Sequence, residues 1–354
     1  MARLDKLLRY LKDNGGSDLH LAAGIEPRAR IGGHIDVVPN SPSLDDAQLC
    51  DLLKEITTDD RWKRFMDTND ADFAYGLEGV ARFRANLFRQ QRGVGAVFRT
   101  IPEKILSLET LKAPDAVAKM AELSSGLVLV TGPTGSGKST TLAAIIDRIN
   151  SSQSRHIITI EDPIEFVHPN KKSVLSQREV GSHTESFGSA LRAAIRQDPD
   201  VILVGEMRDQ ETIALAVTAA EMGALVFATL HTNSATKTID RLIDAFPAEE
   251  QDQIRLSLSE SLAAVVSQLL LRTSDGKGRV ACHEILLKTA ALPNIIRSGN
   301  TPMLTNLIQN GKRLGMCTMD NTLMALVTAG TILPRDAYMK AKDKAKFESL
   351  LDDE

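Results

Sequence analysis

The first hundred residues carry two apolar rhythms. Leu4, Leu7, Leu8 and Leu11 recur at helical spacing and stop at Gly15-Gly16, which predicts an amphipathic helix closed by a breaker. "RARIGGHIDVV" predicts two short strands around a Gly-Gly turn, and helical stretches follow around Leu52 and Phe65. In "VARFRANLFRQQRGVGAVFRTIP" the period falls to two, with Phe83, Ala85 and Leu87 on one face of a strand and Arg82, Arg84 and Asn86 on the other. Together they predict a small α+β domain over residues 1–100 and a linker over 101–125 that starts around Pro102.

From Gly126 the rhythm becomes strand, loop, helix, repeated. "GLVLVTG" leads to a helix ending at Asn150, "HIITIED" to "TESFGSALRAAIRQ", "DPDVILVGE" to "DQETIALAVTAAEMG", and "ALVFATLH" closes the series. Unbroken apolar strands alternating with amphipathic helices predict a mostly parallel sheet covered on both faces, so residues 126–354 form an α/β domain. Beyond Ser234 the pattern is largely helical, with a helical C-terminal region from about 248 interrupted by a hairpin around "SDGKGRVACHEILL".

Composition narrows the classes. A chain of 354 residues with 43% hydrophobic content can bury two cores, and a net charge of -4 leaves no global basic excess, so no nucleic-acid partner is expected. Cys50, Cys282 and Cys317 form no C-x-x-C pair, which argues against a disulfide framework and a cysteine zinc site. No run reaches 18 uninterrupted apolar residues, and the N-terminus is mixed in charge. The expectation is a cytoplasmic protein with no integral membrane segment.

The sharpest local signal is "GPTGSGKST", residues 132–140, which fits G-x-x-x-x-G-K-[ST] between an apolar strand and an amphipathic helix. Gly132, Pro133, Thr134, Gly135, Ser136 and Gly137 form a loop whose small residues let backbone N–H groups wrap an anion at a helix N-terminus. In this pattern Lys138 reaches the β and γ phosphates, Ser139 offers a hydroxyl to Mg²⁺, and Thr140 continues the first turn. The expected cofactors are ATP and Mg²⁺.

Three apolar strands end in functional groups, where an α/β sheet gathers its ligands. Glu206 closes "DPDVILVGE" and is placed to orient or deprotonate water; the position before it, often aspartate, is Gly205. "IEDPIEF" supplies Glu161, Asp162 and Glu165, three acids in five residues that require a cation or arginine partner. His231 closes "ALVFATLH" and is placed to report a γ-phosphate or to fill a structural role. On the polar face of the N-terminal strand, Arg84 and Arg82 offer planar forks for phosphate or for surface ion pairs.

At this point the chain resembles the PilT family of type IV pilus retraction ATPases, within the wider secretion-ATPase superfamily. The resemblance runs through "GGSDLHL", "ARFRANLF", "VFRTIP", "GLVLVTGPTGSGKSTTLAAIID", "HIITIEDPIEFVHP", "QREVG", "RQDPDVILVGEMRD" and "ATLHTNSA". It implies a PAS-like N-terminal domain joined to a RecA-like motor, six copies in a ring, and ATP bound between neighbours. It also implies Glu206 as catalytic glutamate, "IEDPIE" with Glu161 as acidic box, His231 as histidine box, and Arg84 as nucleotide-contacting arginine. Retraction members carry Ala-Ile-Arg-Asn-Leu-Ile-Arg where this chain has "ALPNIIR" at 291–297, so an accessory retraction paralogue stands beside the primary motor. The expected partners are an inner-membrane pilus platform protein and a paralogous retraction ATPase, with the ring peripheral to the inner membrane. The alternatives are a type IV secretion-type ATPase acting on proteins, and a nucleic-acid translocase with "HPNKKS" lysines in its pore.

Overall fold

The computed structural model describes residues 2–101 and 104–351; Pro102, the expected start of the linker, lies outside them. The chain divides into two compact units, Met1–Lys104 with Asp162–Val167, and Ile105–Glu161 with His168–Glu354.

The first unit runs α1 (Asp5–Asp13), β1 (Asp18–Ala22), β2 (Arg28–Ile31), β3 (His34–Val37), α2 (Asp46–Lys54), α3 (Asp59–Thr68), β4 (Asp70–Leu77), β5 (Ala81–Gln90) and β6 (Gly93–Ile101). Its strands form one antiparallel sheet in the order β3-β2-β1-β6-β5-β4. The predicted alternation holds along β5, where Phe83, Ala85 and Leu87 are buried while Arg84 and Asn86 are exposed. They join Leu8 and Leu11 of α1, Leu49 and Leu53 of α2 and Phe65 of α3 in one core. Capping fixes where the helices begin. Asp45 accepts from Gln48 N while the Gln48 side chain accepts from Asp45 N, and Thr58 accepts from Arg61 N.

The second unit opens with α4 (Asp115–Lys119), then alternates β7 (Gly126–Thr131), α5 (Lys138–Ser152), β8 (His156–Glu161), β9 (Val174–Glu179), α6 (Phe187–Ala194), β10 (Val201–Val204), α7 (Gln210–Glu221), β11 (Leu225–Leu230) and α8 (Ala235–Asp244). After α9 (Gln251–Ser261) come β12 (Leu262–Arg272) and β13 (Arg279–Leu287), then α10 (Leu292–Arg297), α11 (Met303–Asn310), α12 (Met319–Thr328), α13 (Pro334–Lys340) and α14 (Ala345–Glu348). The sheet order is β13-β12-β7-β11-β10-β8-β9, parallel except for β13.

Period two explains why these strands are apolar throughout. Leu127, Leu129, Ile202, Val204, Val226 and Ala228 face α6 to α9, while Val128, Val130, Val201, Leu203 and Phe227 face α4 and α5. Each buried side chain of this size contributes about 1.5–3 kcal/mol, so covering both faces supplies much of the unit's stability.

Three features depart from the sequence expectation. Residues 262–272 were expected to be helical, but they form β12, an inner strand pairing with β7 on one side and β13 on the other. Ile254, Leu258 and Leu262 keep helical spacing into the strand, and neither glycine nor proline marks the change. The second is β9, an edge strand that its mixed burial concealed. Residues 105–125, read from the sequence as a linker, belong to the second unit, where Leu108, Val117, Met120 and Ala121 are buried.

Candidate functional site

Parallel strands deliver their carboxyl ends to one edge of a sheet, and here β7, β8, β10 and β11 each end at, or within two residues of, a residue singled out by the sequence. After β7 the chain turns through 132–137 and enters α5 at Lys138, with Gly137 as N-cap. The turn is built against β12. A Cβ at Gly132 would collide with the Gln268 carbonyl oxygen, and one at Gly137 would lie 2.8 Å from Gln268 Nε2. Pro133, Thr134 and Gly135 form the exposed tip, while Ser136 and Lys138 are buried and Ser139 and Thr140 half-buried. Lys138 Nζ donates to the carbonyls of Gly132 at 2.9 Å and Pro133 at 3.2 Å, which holds its ammonium inside the loop. Ser136 Oγ is buried without a hydrogen-bond partner. A glycine cradle with an orphaned hydroxyl and an enclosed ammonium fits a polyphosphate and its Mg²⁺.

At the end of β10, Glu206 is gripped from two sides. Arg208 Nη2 donates to Glu206 Oε2 at 2.7 Å, and His231 Nε2 lies 3.2 Å from Oε1. Burial pushes the Glu206 carboxyl up, but Arg208 and His231 together hold it below the usual glutamate range. The site thus keeps an ionised acid beside an imidazole, a pairing able to orient water and sense a neighbouring anion.

The acidic segment is divided between the units. Glu161 ends β8, where its Oε1 accepts from Thr159 Oγ1 at 2.7 Å and Gln177 Nε2 at 3.3 Å. Asp162 and Glu165 belong to the first unit. There Arg84 Nε donates to both Asp72 oxygens at 3.1 Å. Hydrogen bonding to Asp72 raises the Arg84 pKa further, with Glu165 and Asp162 adding to the effect. Arg82 lies two residues before Arg84 on the same strand, half-buried.

The model of a family described as "Type II/IV secretion system protein" matches residues 78–322, well over half of the chain. The chain belongs to that family. Among type II/IV secretion system proteins it is similar to the type IV pilus retraction ATPase PilT of Pseudomonas aeruginosa, 51% identical over 97% of this chain and 99% of the relative. It is also 41% identical to the type IV pilus ATPase PilU of the same organism, over 95% of this chain and 88% of that one. A crystal structure of the pilus retraction motor PilT with bound ADP superposes with a TM-score of 0.90 at 43% identity, over 99% of both chains.

Gly205 explains how a secretion system protein of this kind differs from the usual aspartate-glutamate pair. Gly205 N donates to Ile160 O at 2.7 Å, and Thr229 Oγ1 donates to Gly205 O at 2.5 Å. A Cβ there would lie 3.1 Å from Ile160 O and 3.2 Å from Glu161 Cα. The close approach of β8 therefore disfavours a side chain there, since the β8 backbone would have to give by a few tenths of an ångström.

Sequence reasoning missed Arg208, Gln268 and a buried hydroxyl ladder. Thr131 and Ser267 share a hydrogen bond at 2.8 Å, Thr238 lies 3.5 Å from Thr131, and Thr232 bonds Thr238 at 2.7 Å. The ladder joins the turn after His231 to the residue before the phosphate loop. The available signal was "SQ" inside the apolar run "LAAVVSQLLLR", since polar side chains in a buried strand require partners.

Among the described residues there is no cluster of His, Cys, Asp and Glu able to hold a metal by itself, and the cysteines are free. No helix among them is long and apolar enough to cross a membrane.

Proposed function

We propose that this chain is a Mg²⁺-dependent ATPase that powers retraction of a type IV pilus, working as a hexameric ring on the cytoplasmic side of the inner membrane. The observation that carries the reading is 51% identity to a PilT retraction ATPase along nearly the whole chain, joined to a phosphate loop and a Glu206–His231 pair at one sheet edge. The greater identity to PilT than to PilU favours the primary motor over the accessory paralogue.

In this reading Gly132 to Thr140 bind the phosphates through backbone N–H groups and the Lys138 ammonium. Mg²⁺, held by the Ser139 hydroxyl, supplies neutralisation of phosphate charge when bound. Glu206 orients the attacking water and accepts its proton, His231 reports occupancy at Glu206, and Glu161 adds a carboxylate at the end of β8. Arg84 supplies a guanidinium to nucleotide, with Arg82, Asp162 and Glu165 as supporting charges. The ring passes its motion to an inner-membrane platform protein, with a paralogous retraction ATPase as a further partner.

The test has two arms. Purified protein is expected to hydrolyse ATP with Mg²⁺, and Glu206→Gln to lower turnover at least ~100-fold while nucleotide affinity stays within about threefold. Deleting the gene is expected to leave surface pili but abolish twitching, restored by wild type and not by Lys138→Ala. Unchanged twitching after deletion would contradict the pilus assignment, and unimpaired turnover in Glu206→Gln the catalytic one.

A further inference from the structure

We infer that Gln268, on the strand beside the phosphate loop, is a positioning residue that holds this loop in its nucleotide-binding shape. The inference rests on the ATPase reading above and assigns a residue to that same site. In the register of β12 and β7, Ser267 lies opposite Thr131, the last residue of β7, so Gln268 projects one step beyond it, level with Gly132. The amide is almost fully buried and both of its ends are engaged. Nε2 donates to the Ser136 carbonyl at 2.7 Å, and Oε1 accepts from Thr141 Oγ1 at 2.9 Å.

These two bonds tie the middle of the loop to the first turn of α5, the segments that must stay in register for N–H groups to converge on a phosphate. The Gln268 backbone and amide also fill the space where side chains at Gly132 and Gly137 would go. One residue thus accounts for the small residues at both ends of the loop and for the conformation between them. A loop held this way loses less conformational freedom when it binds.

Removing the bonds should weaken binding without changing the chemical step, because the Gln268 amide bonds the loop and the helix and not Glu206 or His231. Gln268→Met is nearly isosteric and keeps the packing while losing both bonds. With about 1 kcal/mol for each hydrogen bond, its Kd for a fluorescent ATP analogue with Mg²⁺ should rise about thirtyfold. At saturating ATP its kcat should stay within about threefold of wild type. Thr141→Val removes one bond and should raise Kd about fivefold, which keeps the test open should the Met variant fail to fold. Gln268→Glu keeps an acceptor for Thr141 but sets a carboxylate oxygen against the Ser136 carbonyl and a buried negative charge beneath the loop, and should weaken binding at least as much as Gln268→Met.

Wild-type binding with folded variants whose Kd is within twofold of wild type would overturn this inference alone. So would a loss confined to kcat. A wild type that fails to bind the analogue would overturn the ATPase reading and this inference with it.

Discussion

Glu206 contributes one carboxylate at the end of β10, and its neighbours set the pH range over which it is charged. Burial alone would push that carboxyl up; Arg208 and His231 reverse the direction. A carboxylate held low contributes its full stabilisation above the ordinary glutamate range and loses it as pH falls through the lowered native value. Substituting Arg208→Ala leaves burial opposed by His231 alone, so the acid limb of the pH dependence of kcat/KM should move to higher pH. A profile of ATPase rates from about pH 5 to 8 checks this, and an unmoved acid limb would remove Arg208 from the site. Glu206, Lys138 and His231 were legible from the sequence because each terminates or follows an apolar strand. Gln268 was not, because its bonds reach residues distant in the chain and leave no period behind, and Arg208 was not, because a contact between a loop arginine and an acid two residues away has no apolar pattern to mark it.

At the scale of elements, the β10–β8 contact bears on what can stand before Glu206. Gly205→Asp puts a charged side chain against Ile160 O and the Glu161 backbone, so the β8 backbone has to shift by a few tenths of an ångström to admit it. The expected result is a loss of about 1–3 kcal/mol in unfolding free energy by denaturant titration, with no gain in ATPase activity. Greater activity would show that the glycine is not sterically required. The same scale shows where pattern reading runs out. The alternating strands from β7 to β11 were plain because buried parallel strands are apolar on both faces. α9 and β12 merged because helical spacing runs on past the boundary without a breaker, so tertiary pairing with β7 decides the conformation. Pro293 falls in the first turn of α10, where its missing N–H removes no helical hydrogen bond. The departure from the retraction motif therefore leaves this helix intact.

Across the whole molecule, two buried histidines set an acid limit on stability. Burial pushes both His168 and His283 down to about 4. Each stays neutral in the folded chain while the unfolded chain takes up a proton below about pH 6.5. The unfolded state then binds more protons, so stability should fall as pH drops from about 6.5 to 4, by up to about 3 kcal/mol for each histidine. Melting temperatures across this window check the sign; the His168→Gln variant should show a shallower dependence, and an identical slope would refute its part. The division into units has a consequence of another kind. Asp162–Val167 belongs to the first unit although the second supplies the chain on either side, and its Ile164 and Phe166 are buried. In topological terms the backbone passes between the units three times, so one is threaded through the other's sequence. No single cut separates them: a fragment ending at Lys104 lacks six residues of its own unit, and the remainder carries two apolar side chains that belong elsewhere.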